Sequence, residues 1–308
     1  MDKKSKIYIA GHRGLVGNAI LKELKYQGYE NIIFKTHKEL DLTNKLEVEN
    51  FFKEEKPEYV FLAAAKVGGI QANKNFPVEF LYQNLEIQNN VIMAAYKYKV
   101  KKLMFLGSSC IYPKFCPQPM KEEYLLTGEL EVTNEAYSIA KIAGLKLCEY
   151  LRREYGADFI SVMPTNIYGP NDNFDVETSH VIPSLIRRIH EAKIKNIPEV
   201  IIWGSGSTKR EFMYVDDLAK AIVFVMKNYS KDKFINIGTG VDITINELAN
   251  LIKEIIGYEG KLINDISKPD GTPQKLLEVS KLKEIGWQYK VELREGLEKT
   301  YKWYLENK

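Results

Sequence analysis

Short β-rich runs alternate with long helical segments along this chain, and that alternation limits the fold more than any other property of the sequence. The runs are IYIA (Ile7 to Ala10), NIIFK (Asn31 to Lys35), YVFLAA (Tyr59 to Ala64), KLMFLG (Lys102 to Gly107) and FISVM (Phe159 to Met163). Between them, Val78 to Lys99 and Ala136 to Tyr155 carry few breakers and place apolar residues at three- and four-residue intervals, as crossover helices do. Repetition of strand, helix and strand predicts an α/β, Rossmann-type doubly wound parallel sheet with helices on both faces. After Met163 the texture changes. PTNIYGPNDNF packs Pro, Asn and Gly together and marks a loop leaving the sheet, whereas EFMYVDDLAKAIVFVMKN and FINIG read as a helix and strand returning to it.

Composition removes several function classes. With 308 residues, 45% of them hydrophobic, the chain can bury a large core without staples. Its 44 basic and 41 acidic residues leave a net charge of +3, so no polyanion-coating surface and no nucleic-acid partner are expected. No apolar run approaches the roughly 18 residues that cross a bilayer, and the opening MDKKSKIYIAG runs straight into a strand pattern. A cytoplasmic protein without a membrane partner is the expectation. The three cysteines, Cys110, Cys116 and Cys148, form no CxxC pair, so neither a disulfide framework nor a metal site is expected.

GHRGLVG directly follows the first strand run and opens a helix, with Gly11, Gly14 and Gly17 three residues apart. In that context backbone N–H groups at a helix start can meet a pyrophosphate, which an ordinary glycine turn would not be placed to do. An NAD enzyme commonly ends its second strand in an acid that binds the ribose hydroxyls. Here the strand runs into Lys35, Thr36, His37 and Lys38, and Arg13 stands in the loop itself. These charges suit a 2′-phosphate, so NADP is the expected cofactor. The expected division is discontinuous, with residues 1–167 and 210–238 binding NADP and a smaller α/β region, 168–209 and 239–308, binding substrate.

Tyr137 and Lys141 lie four apart in NEAYSIAKIAG and so stack on one helix face. An ammonium beside a phenol favours the phenolate and eases proton exchange with a substrate oxygen, and Lys141 could also hold the nicotinamide ribose. LGSSCIYP brings Ser108, Ser109 and Cys110 to the carboxyl edge of the sheet, where Ser108 can donate to a carbonyl becoming an alkoxide. Taken singly, Cys110 reads as a small buried residue and His180, in ETSHVIPSL, as a residue at a helix start.

The sequence resembles the GDP-L-fucose synthase family, the GDP-4-keto-6-deoxymannose epimerase-reductases among the extended short-chain dehydrogenases. Stretches spread over nearly the whole chain carry the resemblance: IAGHRGLVG, AAAKVGGI, FLGSSCIYPK, QPMKEEYLLTG, AYSIAKIAGLKLCE, MPTNIYGPNDNF, SHVIPSLIRR, WGSGS, REFMYVDDLA, NIGTGVDITI, SKPDGTP and TYKWYLEN. It implies a GDP-sugar substrate, with Cys110 as base and His180 as acid in exchanging the protons at sugar C3 and C5. Unperturbed thiol and imidazole pKa values, about 8.5 and 6.5, bracket neutrality and suit that exchange. NADPH-dependent reduction at C4 by Ser108, Tyr137 and Lys141 follows. The same resemblance implies cofactor contacts from His12, Leu15, Val16, Asp41, Leu42, Leu106, Gly107, Pro164, Thr165, Asn166, Ile167 and His180, beside the glycines, Arg13, Lys35 and His37. It implies substrate contacts from Arg188, Trp203, Arg210 and Glu278, the last where the family tends to place an aspartate, and a homodimer through a four-helix bundle. The rival readings are a nucleotide-sugar 4-epimerase or 4,6-dehydratase on the same scaffold, and a non-catalytic NADP-binding regulator.

Overall fold

The structure, a computed structural model, describes residues 1–175, 178–268 and 270–308; Val176, Glu177 at the start of the ETSHV stretch and Pro269 in the SKPDGTP stretch lie outside the described residues. The strands are β1 (Ile7–Ala10), β2 (Ile32–Ile33), β3 (Tyr59–Leu62), β4 (Lys102–Leu106), β5 (Phe159–Pro164), β6 (Asn166–Tyr168), β7 (Glu199–Trp203), β8 (Lys209–Tyr214), β9 (Ile235–Ile237), β10 (Asp242–Thr244), β11 (Lys261–Asp265) and β12 (Gln274–Lys275). The helices are α1 (Leu15–Tyr26), α2 (Lys45–Glu55), α3 (Ile70–Asn75), α4 (Pro77–Lys97), α5 (Glu135–Tyr155), α6 (Val181–Ile194), α7 (Val215–Asn228), α8 (Ile245–Ile256), α9 (Ser280–Glu284) and α10 (Leu293–Asn307).

The main sheet runs β2-β1-β3-β4-β5-β9, every pair parallel. Strand order reverses between β1 and β3, so their carboxyl ends open the crevice where ligands bind in doubly wound sheets. Both faces are covered because alternate side chains point to opposite sides. From β1, Ile7 and Ile9 pack with Ile20 and Leu24 of α1 and Leu218 and Ile222 of α7. Tyr8 and Ala10 join Phe52 of α2, Ile92 of α4 and Leu145 of α5 on the other face. The predicted second strand is cut to two residues. At the sheet edge only Ile32 and Ile33 pair with β1, and the chain then turns so that Phe34 meets the His12 ring at 4.5 Å.

A smaller layer gathers α6, α8 and α10 around Ile186, Leu248, Ile252, Leu297 and Tyr168. Its central strand β8 pairs with β6, β10 and β12, and β7 pairs with β11 beside it. Glu211, in β8, has no exposed surface. Its carboxylate accepts from the backbone N–H groups of Leu277 at 2.8 Å, Gly240 at 2.8 Å and Thr239 at 2.5 Å. Its own carbonyl accepts from Thr165 Oγ1 at 3.1 Å and Asn166 Nδ2 at 2.8 Å. One residue thereby joins β8 to the end of β5, the turn after β9 and the C-terminal segment. Glu211→Ala would orphan the buried N–H groups of Thr239 and Leu277, at about 1–3 kcal/mol each, and free that of Gly240. We expect a loss of at least about 2 kcal/mol in urea unfolding.

Candidate active site

The glycine loop sits at the crevice. Gly11 takes a positive φ of 89° and a Cβ at Gly17 would lie 2.1 Å from the Gly11 carbonyl oxygen, so the loop folds against the start of α1 only with glycine there. Helix α1 begins at Gly14 with no side-chain cap and no acid in its first turn, which leaves its N–H groups for an anion. Leu15 and Val16 form its first turn, and His12 Nδ1 is buried without a partner. At the other end of the crevice Arg13, Lys35 and His37 are exposed. The two nearby acids are occupied. Glu39 accepts from Thr36 N and Oγ1, both at 2.7 Å, and Asp41 accepts from Thr43 N at 2.9 Å, just before Leu42 and Thr43 accept at their carbonyls from Asn90. A cationic rim without a free carboxylate fits a phosphorylated ribose better than a bare diol.

Leu106 and Gly107 end β4 and deliver Ser108, whose Oγ accepts from Cys110 N at 3.3 Å and caps the 3₁₀ turn Ser109–Ile111. Tyr137 and Lys141 project from α5. Lys141 Nζ donates to the Leu106 carbonyl at 2.9 Å and lies 4.8 Å from the Phe105 ring centre and 5.7 Å from that of Tyr137. Pro164 and Thr165, at the end of β5, are buried beside them in the sheet, and Asn166 and Ile167 continue into β6. Ser138 Oγ donates to the Cys110 carbonyl at 2.9 Å and fixes the cysteine backbone to α5.

Burial sets the proton affinities here. Desolvation pushes the Tyr137 phenol up, with the Cys110 charge adding to it, and brings Lys141 down to about 7. The expected lowering of the tyrosine by its lysine neighbour is therefore absent from the free chain, because the buried ammonium is itself disfavoured and points to a carbonyl. Cys110 moves the other way. Burial alone would raise it, but the Lys275 ammonium, the Ser108 hydroxyl and the Arg210 guanidinium outweigh burial and lower it. His180 is lowered by desolvation, so thiol and imidazole do not keep their ordinary values on either side of neutrality.

Not all the predicted residues meet. Ser108, Cys110, Tyr137 and Lys141 form one cluster, and Arg210 adds its field to it. His180 starts α6 with no capping bond from its side chain; its segment reaches the crevice through the Gly69 N–H, which donates to the Thr178 carbonyl at 3.1 Å. Arg188 donates to the Ile201 carbonyl, and Trp203 ends β7 with its ring exposed and Lys268 5.8 Å above it. The Glu278 carboxylate accepts from Ser280 N at 2.9 Å and Ser280 Oγ at 2.6 Å. Lys275, three residues earlier, is the residue of that segment that reaches the cluster, and sequence reasoning missed it together with Asn134. Their side chains approach Cys110 Sγ at 3.5 Å and 3.2 Å. A lysine before two leucines carries no spacing signal of its own.

A dinucleotide crevice with a Ser, Tyr and Lys set at its floor defines an oxidoreductase-type scaffold, and the profile of the NAD dependent epimerase/dehydratase family matches residues 7–238. The chain belongs to that family. GDP-L-fucose synthase 1 of Arabidopsis thaliana is 60% identical over 306 residues, covering 99% of this chain and 95% of the relative. GDP-L-fucose synthase of Escherichia coli (strain K12) is 52% identical over 313 residues, covering 99% and 98%. Among solved structures, a GDP-L-fucose synthetase from Naegleria fowleri bound to NADP aligns with a TM-score of 0.91 at 28% identity, covering 100% of this chain and 96% of that one. A GDP-6-OMe-4-keto-L-xylo-heptose reductase from C. jejuni aligns with a TM-score of 0.95 at 40% identity, covering 100% and 99%.

The value for Lys141 has a measurable consequence. An unfolded lysine titrates near about 10.4, so between about 7 and that value the unfolded chain holds a proton the folded chain lacks. Stability therefore rises with pH across this window, and the buried charge is a burden below it. In urea unfolding Lys141→Met is expected to exceed the parent on the acid side of neutrality, with the gap closing as pH rises.

Proposed function

We propose that this chain converts GDP-4-keto-6-deoxy-D-mannose to GDP-L-fucose, by exchange of the C3 and C5 protons followed by NADPH-dependent reduction at C4. The observation that carries the reading is the meeting of a polarised sulfur, Cys110, with the Ser108, Tyr137 and Lys141 set. Reduction alone needs only the latter. A ketone at C4 makes its two neighbouring C–H bonds acidic, and Cys110 takes the proton while Ser108 and Tyr137 donate hydrogen bonds to the oxygen that gains the electron pair. His180 returns a proton from the opposite face; the dianionic diphosphate of the substrate favours the protonated imidazole that this requires. When bound, NADPH supplies the hydride for C4. Tyr137 then gives its proton to the oxygen, and Lys141 fixes the nicotinamide ribose.

In this reading residues 1–167 and 210–238 hold NADP, with Gly11 to Gly17 on the pyrophosphate, Arg13, Lys35 and His37 at the 2′-phosphate, and Pro164 to Ile167 beside the nicotinamide. Residues 168–209 and 239–308 hold the GDP moiety, Arg188 and Arg210 through the diphosphate and Trp203 through the flat base. Glu278 is the weakest of the four, since its carboxylate is occupied by Ser280. None of the described helices is long and apolar enough to cross a membrane, and we place the enzyme in the cytoplasm. Helices α4 and α5 leave Val78, Tyr82 and Met93, and Ile139 and Tyr150, exposed. That apolar stripe supports a homodimer in which two such pairs form a four-helix bundle.

The test is NMR of the product formed with GDP-4-keto-6-deoxy-D-mannose and NADPH in deuterated water. The parent should give GDP-L-fucose labelled at C3 and C5 with stoichiometric loss of NADPH, and an unlabelled, unreduced sugar would reject the reading. Cys110→Ala is expected to lose the label while still binding NADPH, and Tyr137→Phe to lose reduction and to take up label more slowly, since the enolate oxygen then keeps only the Ser108 donor. For the assembly, light scattering should show a dimer for the parent and a monomer for Tyr82→Glu.

A further inference from the structure

The sulfur of Cys110 is surrounded by donors. Asn134 Nδ2 approaches it at 3.2 Å from the turn before α5 and Lys275 Nζ at 3.5 Å from β12, while the Ser108 Oγ beside it accepts from the Cys110 backbone N–H at 3.3 Å. Arg210, paired with Lys275 in register across β8 and β12, adds a second positive charge. Among the described residues the sulfur donates to no acceptor. A thiol has one proton to place and accepts weakly, whereas a thiolate accepts from several donors at once, so this surrounding is complementary to the anion.

Lys275 is held for the purpose. Among the described residues it makes no ion pair, and its ammonium has the sulfur as its hydrogen-bond partner. The segment that carries it is pinned on both sides. Leu276 N donates to Gln118 Oε1 at 2.9 Å, Met120 N donates to the Leu276 carbonyl at 2.7 Å, and Leu277 N donates to the buried Glu211 carboxylate at 2.8 Å. A long cationic side chain is thus fixed at its root next to the sulfur, which removes much of the entropy that a flexible lysine would lose in making the contact.

We propose that Lys275 is the positioning residue that holds Cys110 as a thiolate, ready to act as base in the proton exchange. The inference rests on the epimerising function proposed above. In the step itself the sugar C–H bond breaks and an S–H bond forms, while the C–H electron pair moves into the enolate whose oxygen is held by Ser108 and Tyr137. Lys275 stays an ammonium throughout and exchanges no proton. The charged or titratable groups facing the sulfur are Lys275 and Arg210 from the smaller layer and Tyr137 from α5, and of these Lys275 is the one in direct contact.

The experiment compares the parent with Lys275→Met and Lys275→Arg in two readouts. Iodoacetamide alkylation of Cys110 is followed against pH on the substrate-free chain, with the modified site located by mass spectrometry. Deuterium incorporation at C3 and C5 of GDP-4-keto-6-deoxy-D-mannose is followed over the same pH range. In the methionine variant the alkylation midpoint should rise by about one pH unit or more, as loss of a close opposite charge requires. Its deuterium incorporation should fall by about tenfold per unit of midpoint rise at pH values below the parent midpoint and recover to the parent level as pH passes above its own, following the thiolate fraction. The arginine variant should keep the parent midpoint. An unchanged midpoint in a methionine variant that still binds NADPH overturns the proposal, as does a loss of incorporation equal at every pH. If that variant does not bind NADPH, Lys275→Gln carries the same measurements. A parent that shows the thiolate coupling but no deuterium incorporation would sink the epimerising function and leave the Lys275 to Cys110 contact standing.

Discussion

Glu211 places a carboxylate where no water reaches it, and the chain answers with backbone donors rather than with a cation. Burial raises its pKa and the three N–H groups oppose that rise. What matters for the site is where the donors come from. They belong to the turn after β9 and to the segment leading out of β12, while the carbonyl of the same residue receives Thr165 and Asn166. The main sheet and the smaller layer are therefore fastened at one point, immediately beside Arg210 and two residues from Lys275. Remove that fastening and the residues that give Cys110 its character have no fixed address.

Around the crevice floor the same physical cost, loss of water, produces opposite outcomes in neighbouring groups. Lys141 has only a carbonyl and two aromatic faces to compensate it, so its charged form is disfavoured. Burial, with the Cys110 charge adding to it, raises Tyr137 and favours the phenol. Cys110 is the exception, because donors and positive charge converge on the sulfur. The phenol and the thiol are thus shifted in opposite directions by their surroundings.

The structural match to a GDP-6-OMe-4-keto-L-xylo-heptose reductase and the sequence match to GDP-L-fucose synthases agree on the scaffold and carry different names for what is done on it. The scaffold places a reducing set at the carboxyl end of β4 and along α5. The groups that surround the Cys110 sulfur come partly from outside the main sheet, Lys275 in contact with it and Arg210 beside Lys275 in register. On this view, activities within such a scaffold diverge through the smaller layer, whose strands and loops can change without disturbing the sheet.

The sequence by itself determined the parallel sheet, the glycine loop opening α1 and the pairing of Tyr137 with Lys141. Strand and helix periodicities, glycine spacing and a four-residue helical repeat are local, and each is written in consecutive residues. The resemblance drew attention to Cys110 and His180, but the environment of the sulfur was illegible. Lys275 lies 165 positions from Cys110 and its neighbours Leu276 and Leu277 give it no periodic mark. In the same segment the Glu278 carboxylate turns back on Ser280, a contact equally unmarked in the sequence. Nor could the ordinary pKa values of cysteine, tyrosine and lysine show how each would shift. Proton affinity depends on burial and on charges that come close only when β8, β12 and α5 meet, so only the tertiary structure decided the direction in which each group shifts.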